Sequence, residues 1–249
     1  MEQGKRVALV TGAAHGIGLE IAQVLSSQEG CRVVLVDTSS DVHTAAAQIP
    51  AADAFVLDIT DEAAIESVIR EVVSRCGGID ILVNNAGISG RRGIKETLVA
   101  DLTAEDWERV LTVNLTGSFL MCKVCVPVMR KRKWGRIVNM ASQAARARSD
   151  ATNAHYATSK AALIGFSRSL AFEVAGDGIT VNCVAPGRIS TPMTALSGEA
   201  ADRIYIARAA VDRVGLPHDI AAAVAFLASD RASFITGTTL DVNGGTSMI

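Results

Sequence analysis

The sequence carries almost no net charge, since its 24 lysines and arginines face 26 aspartates and glutamates for a formal charge of −2. That balance gives no overall attraction to nucleic acid or to an anionic membrane surface. No apolar run approaches the roughly 18 residues that a membrane span requires. An apolar segment begins within a few residues of Met1 and leaves no room for a signal peptide. We therefore expect a cytoplasmic protein that binds neither membranes nor nucleic acid.

The sequence also lacks a cysteine framework. Its five cysteines are odd in number and lie mostly within apolar runs, so we expect no disulfides. Cys122 and Cys125 form a single Cys-x-x-Cys without a second pair or nearby histidines, which favours core packing over a metal site, and we predict no metal. A basic cluster, Arg130 to Lys133, ends a predicted helix just before Gly135. Cations suit a helix C-terminus, so this cluster indicates a solvated helix end and not a nucleic-acid site.

Strand and helix patterns alternate along the chain. They predict an α/β fold, a Rossmann-like doubly wound parallel sheet of seven strands with helices on both faces. With no internal repeat or second hydrophobic core, we expect one NAD-binding domain over residues 1–249. Periodicity is weakest from Ile88 to Asp101 and from Ser190 to Ala201, which favours substrate-facing loops and a lid at about residues 188–213.

Thr11 to Gly18 reads Thr-Gly-Ala-Ala-His-Gly-Ile-Gly, between an apolar strand and an amphipathic stretch from Ile17 to Ser26. A strand that ends in glycines and restarts as a helix leaves unpaired N–H groups where a pyrophosphate would lie. The three glycines would make the tight turn, let the backbone approach the phosphates, and let helix and strand pack closely. The pattern predicts a dinucleotide site.

The second predicted strand, Cys31 to Val36, runs into Asp37. An acidic residue at this distance past the glycines is placed to accept hydrogen bonds from both hydroxyls of the adenosine ribose. The carboxylate would repel the extra phosphate of NADP, and no arginine or lysine stands at positions 38 to 40 to receive that phosphate. We therefore expect NAD as the cofactor.

Tyr156 and Lys160 lie four residues apart in a predicted helix from about Asn153 to Ala175, so both side chains share one face. A nearby ammonium and a bound nicotinamide cation both favour the phenolate form of a tyrosine. Ser142 follows a predicted strand and would stand at the sheet edge where open α/β folds bind ligands. Asn114 is a poor helix-interior residue inside a predicted helix from about Glu105 to Arg130, and needs a reason to be there.

These motifs resemble those of the short-chain dehydrogenase/reductase family, in its compact type of about 250 residues, over essentially the whole chain. The glycine pattern, an Asn-Asn-Ala-Gly phrase at Asn84 to Gly87, an Asp-hydrophobic pair and a Pro-Gly phrase occur in the family's order. One departure is the gap of 14 positions from Ser142 to Tyr156, where many members have one fewer. The extra residue would reshape the rim of the substrate pocket.

The resemblance implies a catalytic tetrad of Asn114, Ser142, Tyr156 and Lys160. In this family the tyrosine exchanges a proton with the substrate oxygen, the serine donates a hydrogen bond to it, the lysine lowers the tyrosine pKa and holds the nicotinamide ribose, and the asparagine holds a water. It also implies a homotetramer. The motifs and the resemblance together give these cofactor-binding residues: Gly12, His15, Gly16, Ile17, Gly18, Asp37, Asp58, Ile59, Asn85, Ala86, Gly87, Tyr156, Lys160, Pro186, Gly187, Ile189 and Thr191.

Substrate identity is less determined. Besides Ser142, three arginines lie in segments expected to border the pocket, Arg146, Arg148 and Arg188, and one of them could pair with an anionic group on the substrate. Solvated loop arginines or subunit contacts are the alternative. His15 lies in the phosphate loop, where some family members carry a basic residue for NADP, so NADP stays the less favoured cofactor.

The expected activity is an NAD-dependent oxidoreductase that interconverts a secondary alcohol, such as a polyol, sugar or hydroxy acid, and its ketone. A 3-oxoacyl-(acyl-carrier-protein) reductase is the alternative within the enzyme class, although Asp37 counts against it because those reductases usually take NADPH. A non-catalytic dinucleotide-sensing protein is the alternative outside it. Such proteins usually lack the tyrosine or the lysine, and this chain keeps both.

Overall fold

A parallel sheet of seven strands lies at the centre of the computed structural model, which describes residues 5–89, 98–147, 153–195 and 198–248. The strands are β1 Val7–Thr11, β2 Arg32–Asp37, β3 Asp53–Val56, β4 Ile81–Asn84, β5 Gly135–Met140, β6 Ile179–Pro186 and β7 Thr239–Val242. Their order across the sheet is β3-β2-β1-β4-β5-β6-β7. The direction of winding reverses between β1 and β4, and such a switch point opens a crevice beyond the carboxyl ends of the strands.

Helices cover both faces of the sheet. They are α1 Gly16–Ser27, α2 Asp41–Ala46, α3 Glu62–Cys76, α4 Ala104–Leu111, α5 Gly117–Arg132, α6 Ala154–Val174, α7 Pro192–Ala195, α8 Gly198–Ile206 and α9 Pro217–Ala228. One apolar cluster joins α1 and α9 to the sheet, and a second joins α3, α5 and α6 to its other face. The predicted fold class is confirmed. Of the strands, β3 is the one that the sequence patterns did not place.

The long helix expected from about Glu105 to Arg130 is not continuous. A π-helical turn, Thr112–Thr116, separates α4 from α5. The start of α4 is capped by Thr103, whose hydroxyl accepts a hydrogen bond from the backbone N–H of Asp106 at 3.0 Å. Asn114 lies inside the π turn and is fully buried, so the residue that suits a helix poorly coincides with the irregular turn.

The basic cluster at the end of α5 is largely neutralised by acidic neighbours. Arg130 pairs with Glu173 and Asp177, and Lys133 also pairs with Asp177, each at 2.8 or 2.9 Å. Arg132 pairs with Asp80 at 2.6 Å. The cluster is thus a helix end with local ion pairs, as its position before Gly135 predicted.

The structure also shows where the cysteines and the longest apolar helical stretch lie. All five cysteines are free, and Cys122 and Cys125 are buried in the core. Within the described residues no group of three or more His, Cys, Asp or Glu side chains is arranged to hold a metal ion. The helical stretch Ala104–Arg132 is long and apolar enough, by length and composition alone, to cross a membrane. It contains no unbroken apolar run of that length, so the sequence analysis did not mark it. Half of its most apolar segment is buried inside the protein.

Candidate active site

The turn between β1 and α1 has no room for side chains. Gly12 adopts a φ of +64°, and a β-carbon there would lie 2.8 Å from the Cα of Ala86. A β-carbon on Gly18 would lie 2.2 Å from the carbonyl oxygen of Gly12. Neither neighbour is a movable side chain, so the backbone of this turn is fixed by close packing. Its bare N–H groups at the start of α1 form a cradle that fits a pyrophosphate.

Polar side chains hold this turn against the end of β4. The hydroxyl of Thr11 accepts hydrogen bonds from the backbone N–H groups of Asn85 and Ala86, both at 3.0 Å. In return, the amide of Asn85 donates to the carbonyl oxygens of Thr11 and Gly12 at 2.9 and 3.0 Å. The side chain of Asn85 therefore acts on the cradle from behind. The sequence patterns marked Asn85 but missed Thr11, which ends the strand directly before the first glycine.

A cavity of about 480 Å³ opens at the carboxyl ends of β1, β2, β4, β5 and β6. This volume is typical of a small-molecule or cofactor site. All seventeen residues predicted to bind the cofactor line this cavity, as does Ser142. It is also lined by residues that the patterns did not mark, Val36, Thr38, Leu57, Ile88, Val113, Met140, Ala141, Pro192 and Thr194.

Asp37 stands at the end of β2 with both carboxylate oxygens held by backbone groups. One oxygen accepts a hydrogen bond from the N–H of Ala14 and the other from the N–H of Ser39, each at 3.0 Å. The carboxylate thus ties the glycine turn to the β2 terminus while lining the cavity. Its negative charge is fixed where the ribose of a bound dinucleotide would lie.

Tyr156 lies in the first turn of α6, and Ser142 follows β5 after one residue. Burial raises the pKa of the Tyr156 phenol above its ordinary value, and a hydrogen bond with the Ser142 hydroxyl acts in the opposite direction. Ser142 also accepts a hydrogen bond from the N–H of Ala144 at 3.2 Å, which starts a short 3₁₀ turn, Gln143–Ala145. The two hydroxyls therefore share one wall of the cavity, and the phenol is protonated at neutral pH.

Lys160 lies one helical turn beyond Tyr156 and is 4% exposed. Its ammonium donates a hydrogen bond to the carbonyl oxygen of Met140 at 2.7 Å and lies 5.9 Å from the centre of the Tyr156 ring. Burial lowers the pKa of Lys160 to about 8. The side chain is therefore charged at neutral pH and lies near the phenol. Its pKa is only about one unit above neutral pH.

Asn114 braces the back of the site from the π turn. Its side chain exchanges two hydrogen bonds with the backbone of Ile88, at 2.8 and 3.0 Å, and donates to the Ser159 hydroxyl at 3.0 Å. A β-carbon on Gly87 would lie 3.1 Å from Asn114 Oδ1 and 3.2 Å from Lys160 Nζ. The absence of a side chain at position 87 lets both groups approach the same spot. Ser159, three residues after Tyr156, was missed by the sequence patterns.

Two of the arginines considered for the substrate are engaged with carboxylates. Arg188 pairs with Asp202 and donates to the carbonyl oxygen of Thr194 at 3.1 Å. Arg146 lies 3.0 Å from Asp241. Neither arginine lines the main cavity. Arg148 lies outside the described residues, so its predicted role is not addressed by the structure.

Comparison with known proteins finds matches over almost the whole chain. Residues 12–247 match the family model described as enoyl-(acyl carrier protein) reductase. The chain is 43% identical over 246 residues to the 3-oxoacyl-(acyl-carrier-protein) reductase FabG of Escherichia coli, which covers 98% of both chains. It is 40% identical over 244 residues to FabG of Haemophilus influenzae, covering 98% of each, and 39% identical over 245 residues to FabG of Thermotoga maritima, covering 96% of this chain and 97% of the relative.

Each of these matches extends over nearly the full length of the relative. The expected class of nicotinamide-dependent oxidoreductase is consistent with this match, and the names of the relatives favour the alternative of a 3-oxoacyl reductase over a general polyol dehydrogenase. The chain belongs to the short-chain dehydrogenase/reductase family.

Proposed function

We propose that this protein reduces a 3-oxoacyl thioester to the 3-hydroxyacyl thioester, with NADH as the hydride donor. The observation that carries the substrate class is the identity of 43% to a 3-oxoacyl-(acyl-carrier-protein) reductase over 98% of both chains. Tyr156 suits this reaction, since burial raises its pKa and the protonated phenol can supply the proton that a reduction consumes.

The proposed catalytic roles are those that the family resemblance implies, and the positions of the four side chains support them. The Tyr156 phenol would give its proton to the substrate oxygen, while the Ser142 hydroxyl donates a hydrogen bond to that oxygen as negative charge develops on it. A bound nicotinamide supplies the hydride. Lys160, charged below a pKa of about 8, favours the phenolate that remains once Tyr156 has given up its proton.

Asn114 would supply the route by which that proton is replaced. Its Oδ1 and the ammonium of Lys160 both lie close to Gly87, where no side chain separates them. A water bound in the cavity within reach of both groups would have two polar partners, which is the minimum for an ordered buried water. In this proposal the water links Lys160 to solvent, and Asn114 is a positioning residue.

The preference for NADH rests on Asp37. Its carboxylate is fixed by Ala14 and Ser39 and lines the cavity, so it is placed to accept hydrogen bonds from the ribose hydroxyls. A phosphate on that ribose would meet a fixed negative charge with no lysine or arginine at 38 to 40 to offset it. The proposal keeps the NADH preference expected from Asp37, although 3-oxoacyl-(acyl-carrier-protein) reductases usually take NADPH.

The decisive experiment follows nicotinamide absorbance with a 3-oxoacyl thioester and either NADH or NADPH, and in reverse with NAD or NADP and a panel of polyols, sugars, hydroxy acids and simple secondary alcohols. Thioester reduction with NADH that Tyr156→Phe lowers by about 10³-fold or more would support the proposal. The variant keeps the ring, so NADH binding measured by fluorescence serves as the control for folding.

Asp37→Asn tests the cofactor separately, because it keeps an acceptor oxygen and removes the charge. We expect the ratio of kcat/KM for NADH to that for NADPH to fall about tenfold, which corresponds to about 1.4 kcal/mol of lost discrimination. Asp58→Asn is the matched control, since Asp58 also lines the cavity. An unchanged ratio in Asp37→Asn would overturn the NADH assignment.

A second candidate function is the NAD-dependent oxidation of a secondary alcohol such as a polyol, sugar or hydroxy acid. Asp37 favours it, because the carboxylate suits NAD. Turnover of a panel alcohol without thioester reduction would establish it. Tight NADH binding with no turnover of any compound would instead support a dinucleotide sensor.

Three further features belong to this proposal. We expect one domain over residues 1–249 with a substrate lid at about 188–213, a cytoplasmic location and a homotetramer. Exposed aromatics on α5 and α6 support the subunit contacts: Phe119 packs edge-on against Phe166, and Phe172 is 91% exposed. Light scattering after size exclusion tests the mass.

Unchanged KM values in Arg146→Ala and Arg188→Ala would end the idea that either arginine binds an anionic substrate group.

A further inference from the structure

The last described residues form a small ordered unit beside the site, here called the C-terminal turn, residues 243–248. Asn243 organises it and is 7% exposed. Its amide donates to the carbonyl oxygen of Ser247, and its side-chain oxygen accepts from the N–H of Gly245, both at 2.9 Å. These internal hydrogen bonds hold the C-terminal turn together as one unit. A shift of one neighbouring segment can therefore move the turn and, with it, the other neighbouring segment.

One neighbour of the C-terminal turn is helix α8, through Tyr205. The phenol donates a hydrogen bond to the carbonyl oxygen of Asn243 at 2.6 Å and lies 3.3 Å from the Thr246 hydroxyl. A β-carbon on Gly187 would lie 1.9 Å from the same phenol oxygen, so Tyr205 rests directly on the backbone that lines the main cavity. Helix α8 is described in full and buries none of its side chains. Its position therefore depends on such polar contacts.

The other neighbour is the turn that follows Ser142. The Thr246 hydroxyl shares its one proton between two acceptors, Gln143 Oε1 at 2.9 Å and the carbonyl oxygen of Asn243 at 3.0 Å, and Gln143 directly follows the serine in the chain. An ion pair also connects this segment to strand β7, since Arg146 Nε lies 3.0 Å from Asp241 Oδ1. The segment that places the Ser142 hydroxyl is thus attached to the C-terminal turn and not to α8 itself.

We infer that Tyr205 is a positioning residue for the reaction, which through Thr246 and Gln143 places the Ser142 hydroxyl when α8 lies over the site. The hydrogen bonds that the structure describes for Tyr205 go to Asn243 and Thr246, so we assign its effect to the C-terminal turn. The expected change in kcat rests on the proposed function. The expected change in the structure around Ser142 rests on the contacts alone.

The kinetic consequence separates two parts of the site. The dinucleotide cradle is held by Thr11, Asn85 and the glycines, which the relay does not touch. Losing the Tyr205 hydroxyl should therefore lower kcat, because the serine no longer meets the substrate oxygen in the right place, while NADH affinity stays as it was.

The first test measures kcat, KM and NADH affinity in Tyr205→Phe and Thr246→Val. Each variant should lower kcat about fivefold or more, with KM and the Kd for NADH changing less than about twofold. The double variant should lose no more than the worse single one, because both break the same path, and Thr246→Ser should restore kcat. A double loss equal to the product of the single losses, or a loss confined to KM, would overturn the inference.

The second test needs no substrate. Hydrogen exchange of the backbone should become faster in residues 143–147 in Tyr205→Phe, although these residues lie far away in sequence. Arg203→Ala is the matched control on α8, since its side chain is 71% exposed, and should leave residues 143–147 unchanged. Faster exchange in α8 alone would refute the relay. If no 3-oxoacyl thioester is reduced, the proposed function fails, and this exchange result alone decides the inference.

Discussion

The two ends of the site are built in opposite ways. At the dinucleotide end, the turn from β1 to α1 is packed so closely that a single β-carbon would collide with backbone, and Thr11, Asp37 and Asn85 hold it from behind. At the substrate end, α8 buries none of its side chains and is attached by Tyr205 and by the pairing of Asp202 with Arg188. Close packing leaves one arrangement available, whereas a few polar contacts allow a segment to open.

The largest effect should come from filling the close-packed end. Gly18→Ala would place a β-carbon 2.2 Å from the Gly12 oxygen, and we expect the free energy of unfolding to fall by about 3 kcal/mol and NADH binding to be lost. Denaturant unfolding and a fluorescence titration measure the two. Gly165→Ala is the control, since it is an exposed helical position with nothing within 4 Å and should be neutral or slightly stabilising. Wild-type affinity in Gly18→Ala would break the comparison.

Asn114 should rank next. Asn114→Ala removes three hydrogen bonds and leaves part-buried backbone groups of Ile88 without their Asn114 partners, so we expect the free energy of unfolding to fall by about 2 kcal/mol in thermal or denaturant unfolding. Ser118→Ala, which removes one buried bond to the carbonyl oxygen of Asn114, is the control and should cost about 1 kcal/mol. Equal losses in the two variants would mean that Asn114 contributes no more than an ordinary buried hydrogen bond.

Lys160 should show an effect of the opposite sign. Its pKa falls from 10.5 unfolded to about 8 folded, so burying the charge destabilises the folded state at any pH below 8. Lys160→Met should therefore raise the free energy of unfolding by about 2 kcal/mol at pH 7, after the loss of the bond to Met140, while abolishing turnover.

The same prediction fixes a pH dependence. Between pH 8 and 10.5 the unfolded chain binds more protons than the folded one, so wild-type stability gains on the variant and the difference shrinks. Unfolding curves at pH 7, 9 and 10.5 measure it. The exposed Lys123→Met is the control, since the Glu62 carboxylate raises the pKa of Lys123 and any pH dependence there has the opposite sign. A difference independent of pH would contradict the assigned cause.

The smallest effect should come from the exposed face of α8. Arg203 pairs with Glu199 at 3.5 Å with both side chains largely exposed, so Arg203→Ala should change the free energy of unfolding by less than about 0.5 kcal/mol. Arg188→Ala, at 11% side-chain exposure and bound to Asp202, should cost more. A large loss in Arg203→Ala would show that α8 is held more firmly than its burial suggests.

The same contrast explains what sequence could predict. The glycine turn, Asp37 and the Tyr-Lys pair were found because each needs particular residue types at fixed spacing, imposed by backbone geometry and helical periodicity. The cofactor residues all proved to line one cavity for this reason. The parallel sheet of seven strands was predicted from the alternation of strand and helix patterns along the chain.

What sequence could not give depends on contacts between distant segments. Thr11 and Ser159 carry no motif of their own, and their roles exist only through Asn85 and Asn114. The partners of Arg146 and Arg188 are 95 and 14 positions away, so spacing gave no reason to assign them to Asp241 and Asp202 instead of to a substrate. Strand β3, Asp53–Val56, begins with an aspartate and buries none of its residues fully, so it lacks the apolar run that marks the central strands.

The π turn at Thr112–Thr116 also limits how this chain can change in length. Such a turn holds one residue more than an α-helical turn, and one residue corresponds to about 100° of rotation about the helix axis. Everything in α5 is therefore rotated relative to α4 by that amount, which brings Met121 and Cys125 onto the core. Deleting any one residue of the turn would regularise the helix and swing this face toward solvent. The number of residues in the π turn therefore fixes which face of α5 packs on the core. A substitution in the turn leaves that face in place, whereas a deletion rotates it.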